Sequence, residues 1–259
     1  MKFKFNYKST VAFALVVLGS LATASAAVTS ISLGGTTTTE GWNSLSNTTI
    51  SGYPGYPGTG NWPSPVASQV GTITAPDTRA TLNKTSNGTQ GGPYFGNGYI
   101  YHGGTSSTPN ILGGSLAIAD ATPLSGVRTV VFQIEINNPF GHSFHNATLP
   151  TLSYTAGGTP ATNVAASYSA IIDSKPGAPF QGNAVDLNTW ALQWDLPAGV
   201  SEFTIGWSSV QHAQIYALQL DQGSAVALGS VLPAAVPEPA SLALAAAGAL
   251  IGLRRRRNS

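Results

Sequence analysis

Short segments in which apolar and polar residues alternate are the feature that most constrains the fold of this chain. In the clearest segment, residues 130–137, one face is apolar and consists of Val130, Phe132, Ile134 and Ile136. A spacing of two residues places side chains on the same face of a β-strand, whereas a helix needs a spacing of three to four. Asn137-Asn138-Pro139 then favours a turn. The segment is therefore predicted to be a strand with one buried face.

The same alternation recurs along the body of the chain, which we define as residues 27–235. Strong strands are predicted at Trp190–Leu196, at Phe203–Trp207 and at Ile215–Asp221, where Tyr216, Leu218 and Leu220 share a face. Weaker strands are predicted at Thr29–Leu33, Val70–Thr74, Gly114–Ala119, Leu149–Thr155 and Val164–Ile172. No part of the body has a convincing helical period. Many short strands separated by turn residues predict an all-β domain, an antiparallel β-sandwich or jelly roll.

The last three strong strands loosely resemble the closing strands of galactose-binding-like jelly-roll modules. In those modules a Trp-containing strand, an Ile/Trp strand and a terminal Leu-rich strand pair in one sandwich. The resemblance rests on Trp190–Leu196, Phe203–Trp207 and Ile215–Asp221, and it implies a jelly-roll body.

Residues 1–26 are predicted to form a secretory signal peptide with a helical apolar core. Lys2, Lys4 and Lys8 supply its positive charge, and the apolar stretch from Val11 to Ala22 follows. Ala24-Ser25-Ala26 provides the small residues at which signal peptidase cleaves. The alternative is an N-terminal membrane anchor, which the shortness of the apolar stretch disfavours. The body is therefore expected to be exported by the general secretion machinery.

Residues 236–259 combine three features in order. Pro237-Glu238-Pro239 is followed by 14 uncharged residues, from Ala240 to Leu253, which are predicted to form a short hydrophobic transmembrane helix. At ~1.5 Å per residue this helix spans ~21 Å, less than the ~30 Å hydrocarbon core of a bilayer. The tail that follows contains Arg254, Arg255, Arg256 and Arg257. Arginine resists translocation, so the tail should stay on the cytoplasmic side while the body is exported.

Together these features resemble the PEP-CTERM sorting signal of Gram-negative bacteria. The resemblance implies that the chain is a substrate of exosortase, a membrane processing enzyme that would recognise Pro237, Glu238 and Pro239. It also implies a membrane-anchored precursor whose mature form is at the cell surface or outside the cell. Members of the family are often found in species that make exopolysaccharide, so exopolysaccharide is a further expected partner. The alternative is a plain tail anchor in which Pro-Glu-Pro occurs by chance.

The body has too few basic residues for a nucleic-acid-binding protein. The net charge of the chain is +1, but its basic residues are concentrated at the two ends. Residues 27–236 contain nine acidic residues and four basic ones, Arg79, Lys84, Arg128 and Lys175. A nucleic-acid partner is excluded, because clustered Lys and Arg are needed to displace counterions from phosphates.

Two loops rich in Gly contain aromatic residues that could contact a ligand. The first loop, residues 41–65, contains Trp42, Tyr53, Tyr56 and Trp62. The second loop, residues 91–104, contains Tyr94, Phe95, Tyr99, Tyr101 and His102. Two interpretations apply to both loops: the rings stack on sugars, or they cover the core as a lid. An exposed groove would favour sugar binding, and burial would favour the lid.

Gln133, Glu135 and Asn137 form a row on the polar face of the segment at residues 130–137. Side chains two residues apart on a strand are ~6.8 Å apart, so the row could hydrogen-bond to sugar hydroxyls. One alternative is an ordinary solvent-facing polar strand. Another is the active site of a glycosidase, for which a second carboxylate would have to come from another strand.

Catalytic and metal-binding motifs are scarce. The chain has no Cys, and Gly206-Trp207-Ser208-Ser209-Val210 lacks the second glycine of a serine-hydrolase elbow. His142 and His145 lie in a predicted loop without a nearby third ligand, and His212 is predicted to be a turn residue. No cofactor is expected. A structural Ca²⁺ is left open by three acids near predicted strand ends, Asp173, Asp186 and Asp221.

These observations favour a non-enzymatic exported protein of the cell surface or extracellular matrix. The alternative is a carbohydrate-binding β-sandwich of the exopolysaccharide matrix, using the aromatic loops and the row at Gln133, Glu135 and Asn137. A secreted glycoside hydrolase is a third interpretation, and it would require two carboxylates that face each other across a cleft.

Overall fold

The computed structural model describes residues 28–56, 61–72 and 77–236 of the chain. In this part the protein is all-β, with 14 strands and two single-turn 3-10 helices. No helix among these residues is long and apolar enough to cross a membrane. The predicted signal helix at residues 1–26 and the predicted hydrophobic helix from Ala240 to Leu253 lie outside the described residues.

The strands are mostly short and are joined by turns. In chain order they are β1 (Thr37–Trp42), β2 (Val66–Ala67), β3 (Val70–Thr72), β4 (Thr81–Asn87), β5 (Tyr94–Phe95), β6 (Ile100–Tyr101), β7 (Leu112–Asp120), β8 (Thr129–Asn137), β9 (Thr151–Ala156), β10 (Thr159–Val164), β11 (Tyr168–Pro176), β12 (Asp186–Asp195), β13 (Val200–Val210) and β14 (Gln214–Gly223). The 3-10 turns, Pro139–Gly141 and His145–Ala147, both lie between β8 and β9. The four strong strand predictions are confirmed as β8, β12, β13 and β14.

The described strands form two antiparallel sheets. The eight-stranded sheet has the order β11-β12-β8-β14-β1-β3, and β6 pairs with both β14 and β5. The six-stranded sheet has the order β10-β9-β13-β7-β4-β2. The chain crosses between the sheets at each step from β7 to β9 and again from β12 to β14. This alternation is compatible with the predicted sandwich or jelly roll.

The hydrophobic core lies between the two sheets. Phe132 of β8 and Trp207 of β13 meet there with ring centroids 5.2 Å apart. The apolar face predicted for β8 is completely buried, and it consists of Val130, Phe132, Ile134 and Ile136. Full burial of such a side chain stabilises the fold by about 1.5–3 kcal/mol, so this interior is the main source of stability.

Two chain segments cover the outer face of the eight-stranded sheet. We call residues 224–236 the C-terminal strap and residues 28–36 the N-terminal segment. The strap begins where β14 ends and is held by the Thr129 hydroxyl, which donates to Ala225 O at 3.0 Å. The N-terminal segment runs beside it and accepts a bond from Gln133 Nε2 at Thr29 O, 2.8 Å away. The outward face of this sheet is therefore a second buried layer.

Two strands that the sequence analysis missed, β1 and β4, are mostly polar. Glu40 of β1 is only 1% exposed. Its burial is tolerated because its Oε2 accepts bonds from the Ser68 hydroxyl at 2.6 Å and from the Ala80 N–H at 2.9 Å. In β4, Leu82 is the buried residue. A paired buried acid or a single apolar residue does not produce the alternation by which strands are recognised.

Three expectations from the sequence are wrong. Thr29–Leu33 is not a strand, because these residues lie in the N-terminal segment. Residues 41–65 and 91–104 are not entirely loop, since β1 continues to Trp42 and the second range contains β5 and β6. Tyr216 does not share the core-facing side of β14 with Leu218 and Leu220. The register shifts by a bulge between Ile215 and Ala217, so Ile215 is the residue that enters the core.

Candidate functional site

Three of the four aromatic residues proposed for the first loop pack on the core. Trp42 is 0% exposed, and its indole N–H donates to Val66 O at 3.0 Å. Tyr53 and Trp62 are partly buried against Phe95, with ring centroids 5.2 and 4.6 Å from it. The sugar-stacking interpretation of Trp42 is therefore corrected, because this ring is buried in the core. The packing of Tyr53 and Trp62 on Phe95 favours the lid interpretation for these two rings.

Tyr56 is different, because its side chain is exposed and lines a cleft. We call this the tyrosine cleft, and its volume is about 440 Å³. The second loop contributes Tyr99 and Tyr101, and the loops that follow β11 and β13 contribute Phe180 and His212. Loops that are far apart in the sequence thus meet at one end of the eight-stranded sheet.

His212 fixes one wall of the tyrosine cleft. Its Nε2–H donates to Ser106 O at 2.8 Å, so its Nδ1 is free to accept the Tyr101 hydroxyl at 2.9 Å. Phe180 stacks on the imidazole with ring centroids 4.4 Å apart. His212 has φ 68° in the turn between β13 and β14, as predicted for a turn residue. With both nitrogens bonded, its role is to position Tyr101.

Tyr56 stands at the opening of the cleft. Its ring is perpendicular to that of Tyr101, with centroids 5.2 Å apart, and its hydroxyl donates to Gly104 O at 3.4 Å. Burial, reinforced by the neighbouring Tyr56, raises the pKa of Tyr101 to about 12. The Tyr101 phenol is therefore neutral at physiological pH and serves as a hydrogen-bonding group rather than as a charge.

Amide side chains complete the cleft. Asn47, Asn97 and Gln214 line it, together with Asn137 from the end of the polar row. Asn137 Oδ1 accepts the Gln214 N–H at 2.6 Å, which fixes the amide in place. None of the described residues that line the cleft is acidic, and none is Lys or Arg. The site offers ring faces for stacking and amides for hydrogen bonds, without a formal charge.

The polar row of β8 is divided by the structure. Gln133 and Glu135 are 0% and 2% exposed, and Gln133 donates to Thr29 O of the N-terminal segment. Glu135 Oε1 forms an ion pair with Lys175 Nζ at 2.6 Å. The solvent-facing interpretation is therefore wrong for Gln133 and Glu135. Of the row, only Asn137 lines the tyrosine cleft.

The three acids considered for Ca²⁺ have different surroundings. Asp173 is exposed, Asp186 is partly buried and Asp221 is 3% exposed. Burial raises the pKa of Asp221, against the hydrogen bonds it accepts from Gln219 at 2.8 Å and Thr39 at 2.7 Å. Across the ranges that the structure describes, no three residues of the types His, Cys, Asp and Glu are grouped so as to hold a metal ion.

His102 in the second loop is completely buried. Burial lowers its pKa to about 3, although the backbone of Gly113 opposes this shift. The imidazole is therefore neutral and shielded from solvent. Lys84 of β4 holds the same loop, because its Nζ donates to Gly91 O at 2.7 Å and to Pro93 O at 3.2 Å. Lys84 thus stabilises the loop that carries Tyr99 and Tyr101.

Three residues of the cleft were not predicted from the sequence: Phe180, Asn97 and Gln214. Phe180 lies between β11 and β12, and it meets the second loop only because β14 pairs with both β8 and β6. Alternation along one strand does not reveal which strands are neighbours. An aromatic residue directly after a loop proline, as in Pro179-Phe180, was the available signal.

The remaining predicted site residues lie outside the described residues: Pro237, Glu238, Pro239, Arg254, Arg255, Arg256 and Arg257. Comparison with known families bears on them directly. The family model of the PEP-CTERM protein-sorting motif matches residues 235–257. No curated protein and no solved structure matches the chain.

The matched segment overlaps the end of the C-terminal strap at residues 235 and 236. A motif of this kind implies processing by exosortase, a membrane enzyme, and export to the cell surface. At residues 235–257 the chain carries a PEP-CTERM protein-sorting motif.

Proposed function

We propose that this protein is a non-enzymatic component of the cell surface or extracellular matrix, delivered there by export and exosortase processing. The family match at residues 235–257 supports the sorting part of this proposal. The predicted signal peptide at residues 1–26 supports it, because a sorting motif of this kind acts on an exported chain. The uncharged tyrosine cleft supports the non-enzymatic part, since glycosidases use a pair of carboxylates.

Cell fractionation of a Glu238→Ala variant tests the sorting function. We expect the unprocessed precursor to accumulate in the membrane while the wild-type chain is shortened and moves outward. Glu202→Ala is the matched control, because Glu202 is an exposed acid on β13. Processing and location of Glu238→Ala identical to those of the wild type would exclude exosortase recognition of Pro237-Glu238-Pro239.

A second function, binding of a neutral polysaccharide of the matrix, is favoured by the tyrosine cleft. Tyr56 is 44% exposed beside Tyr101, so one ring face is open to a sugar while the wall behind it is fixed. Asn47, Asn97 and Gln214 supply both donors and acceptors for hydroxyl groups. The resemblance of the last strands to galactose-binding-like modules also supports this proposal.

A glycan panel tests this second function with the full-length protein. The probes are a neutral glucan, a neutral galactan and, as a charged comparison, alginate. We expect one of the neutral glycans to bind, and Tyr56→Ala to weaken that binding at least tenfold, or about 1.4 kcal/mol. Tyr168→Ala is the matched control, because Tyr168 is 40% exposed and is not among the residues that line the cleft. Equal effects of the two variants, or flat binding throughout, would overturn the proposal.

A further inference from the structure

We infer that docking of the C-terminal strap on the eight-stranded sheet withholds the sorting motif from its processing enzyme, and that release of the strap admits the enzyme. The inference rests on the proposed function, because it requires that a membrane enzyme processes the chain at this motif. It goes further by assigning control of that step to the folded body. The strap is residues 224–236, and the motif begins within it, at residue 235.

The strap is held by one side chain that acts as both donor and acceptor of hydrogen bonds with the backbone of the strap. Gln193 of β12 donates from Nε2 to Gly229 O at 3.0 Å, and its Oε1 accepts the Val231 N–H at 2.8 Å. Gln193 is 0% exposed, so both bonds are shielded from water. An amide that satisfies a carbonyl and an N–H of one segment fixes the path of that segment.

Docking continues to the residue before Pro237. The Val236 N–H donates to Ile171 O at 2.9 Å, on the edge strand β11. Only residues 237–239 separate Val236 from Ala240, where the uncharged stretch begins. Three residues extend by ~10 Å at most. While the strap is docked, a membrane enzyme that recognises Pro237-Glu238-Pro239 must therefore fit into a narrow gap beside the folded body.

Release of the strap removes this restriction. Freeing residues 229–236 adds eight residues and ~26 Å of reach. Thr129 would still hold the start of the strap through Ala225 O and the Ala227 N–H. The bonds to be broken are few, two to Gln193 and one to Ile171, and Leu228 is fully exposed on the strap. The strap can therefore detach while the ladder between β8 and β14 stays intact.

A disulfide that locks the strap tests the inference. Ile171 and Val236 are joined by a backbone hydrogen bond and line the same cleft, so an Ile171→Cys/Val236→Cys pair is suitably placed to form a disulfide. The natural chain has no Cys, so this pair would be its only thiols. In membranes that contain exosortase, we expect the oxidised precursor to be processed at least tenfold more slowly than the reduced one. The two single variants should be unaffected by oxidation.

A linker distinguishes restricted reach from damage to the body. Ten Gly and Ser residues inserted between Val236 and Pro237 of the locked double variant add ~33 Å of reach while the strap stays docked. We expect the linker to restore processing of the oxidised form. An oxidised precursor processed at the reduced rate, or a linker without effect, would overturn the inference. Failure of the sorting function itself would be visible separately, as an unprocessed wild type or a normally processed Glu238→Ala chain.

Discussion

The covered face of the eight-stranded sheet and the tyrosine cleft both consist of side chains that point away from the core, yet only the cleft is open. On the covered face Gln133, Glu135 and Gln193 are at most 2% exposed, whereas Tyr56 in the cleft is 44% exposed. Gln133 and Gln193 bond to the protein's own N-terminal segment and strap, and Glu135 bonds to Lys175 of the edge strand β11. Polar side chains on a sheet can thus form hydrogen bonds with other parts of the same chain. Their burial distinguishes them from the exposed side chains of the cleft.

Among the changes on the covered face and in the cleft, the largest effect on stability is expected from removing the bonds between Gln193 and the strap. Gln193→Leu removes the bonds to Gly229 and Val231 and leaves their backbone groups without this partner. We expect the free energy of unfolding to fall by about 2–3 kcal/mol, measured by chemical denaturation. Thr204→Val, at an exposed site on the six-stranded sheet, is the control and should change it by less than ~0.5 kcal/mol. Equally small losses for the two variants would mean that the bonds between Gln193 and the strap contribute nothing to the free energy of unfolding.

A smaller loss is expected when Glu135 loses its cation. Lys175→Met leaves a carboxylate that is 3% exposed without the partner at 2.6 Å. Lys175 is itself 36% exposed, so we expect a loss of about 1–2 kcal/mol, less than for a fully buried pair. The double variant Lys175→Met/Glu135→Gln should recover part of that stability, because no buried charge remains. A double variant less stable than Lys175→Met would contradict this account.

The covered face should also respond to pH through Asp221. Burial raises the pKa of Asp221, so its folded form holds a proton at pH values where the unfolded chain has lost it. Asp221 therefore favours folding most below its unfolded pKa of ~3.9, and this contribution is lost as the pH rises through the folded pKa. The stability of the wild type relative to Asp221→Asn should fall as the pH rises above the unfolded pKa. A difference independent of pH, as expected for Thr204→Val, would show that the Asp221 carboxyl does not titrate in this way.

The smallest change in stability is expected in the open cleft. Tyr56→Ala removes a half-exposed ring whose one hydrogen bond, to Gly104 O, is long at 3.4 Å. We expect a loss below ~1 kcal/mol, against about 3–5 kcal/mol for Trp42→Ala in the core. Thermal denaturation of the two variants would measure the contrast. A loss for Tyr56→Ala close to that for Trp42→Ala would place Tyr56 in the core rather than in a binding site.

The strands that could be predicted are those whose inner positions are all apolar. β8, β12 and β13 alternate regularly, and the predicted strands at Gly114–Ala119 and Leu149–Thr155 correspond to β7 and β9. Val164–Ile172 instead divides between the end of β10 and the start of β11. β1 escaped prediction because Glu40 occupies an inner position, where its bonds to Ser68 and Ala80 replace apolar contact.

The candidate site was harder to predict than the strands, because it depends on how loops meet. The sequence suggested that rings of both loops contact either a ligand or the core. In the structure Trp42 is buried in the core, whereas Tyr56 is exposed and lines the tyrosine cleft. Phe180 and Gln214, which line the cleft together with Tyr56, come from elements that only the order of strands in the sheet brings together. The sorting motif, by contrast, was recognisable from sequence, since its features are consecutive and need no tertiary contact.

The path of the strap has a mechanical consequence for an anchored protein. Tension applied beyond Val236 would load the bond to Ile171 first, then the two bonds to Gln193, and only afterwards those at Thr129. Bonds broken one after another resist a pull less than bonds loaded together. In a chain pulled at its C-terminal end, the strap would therefore peel under a weak force before the two sheets are loaded.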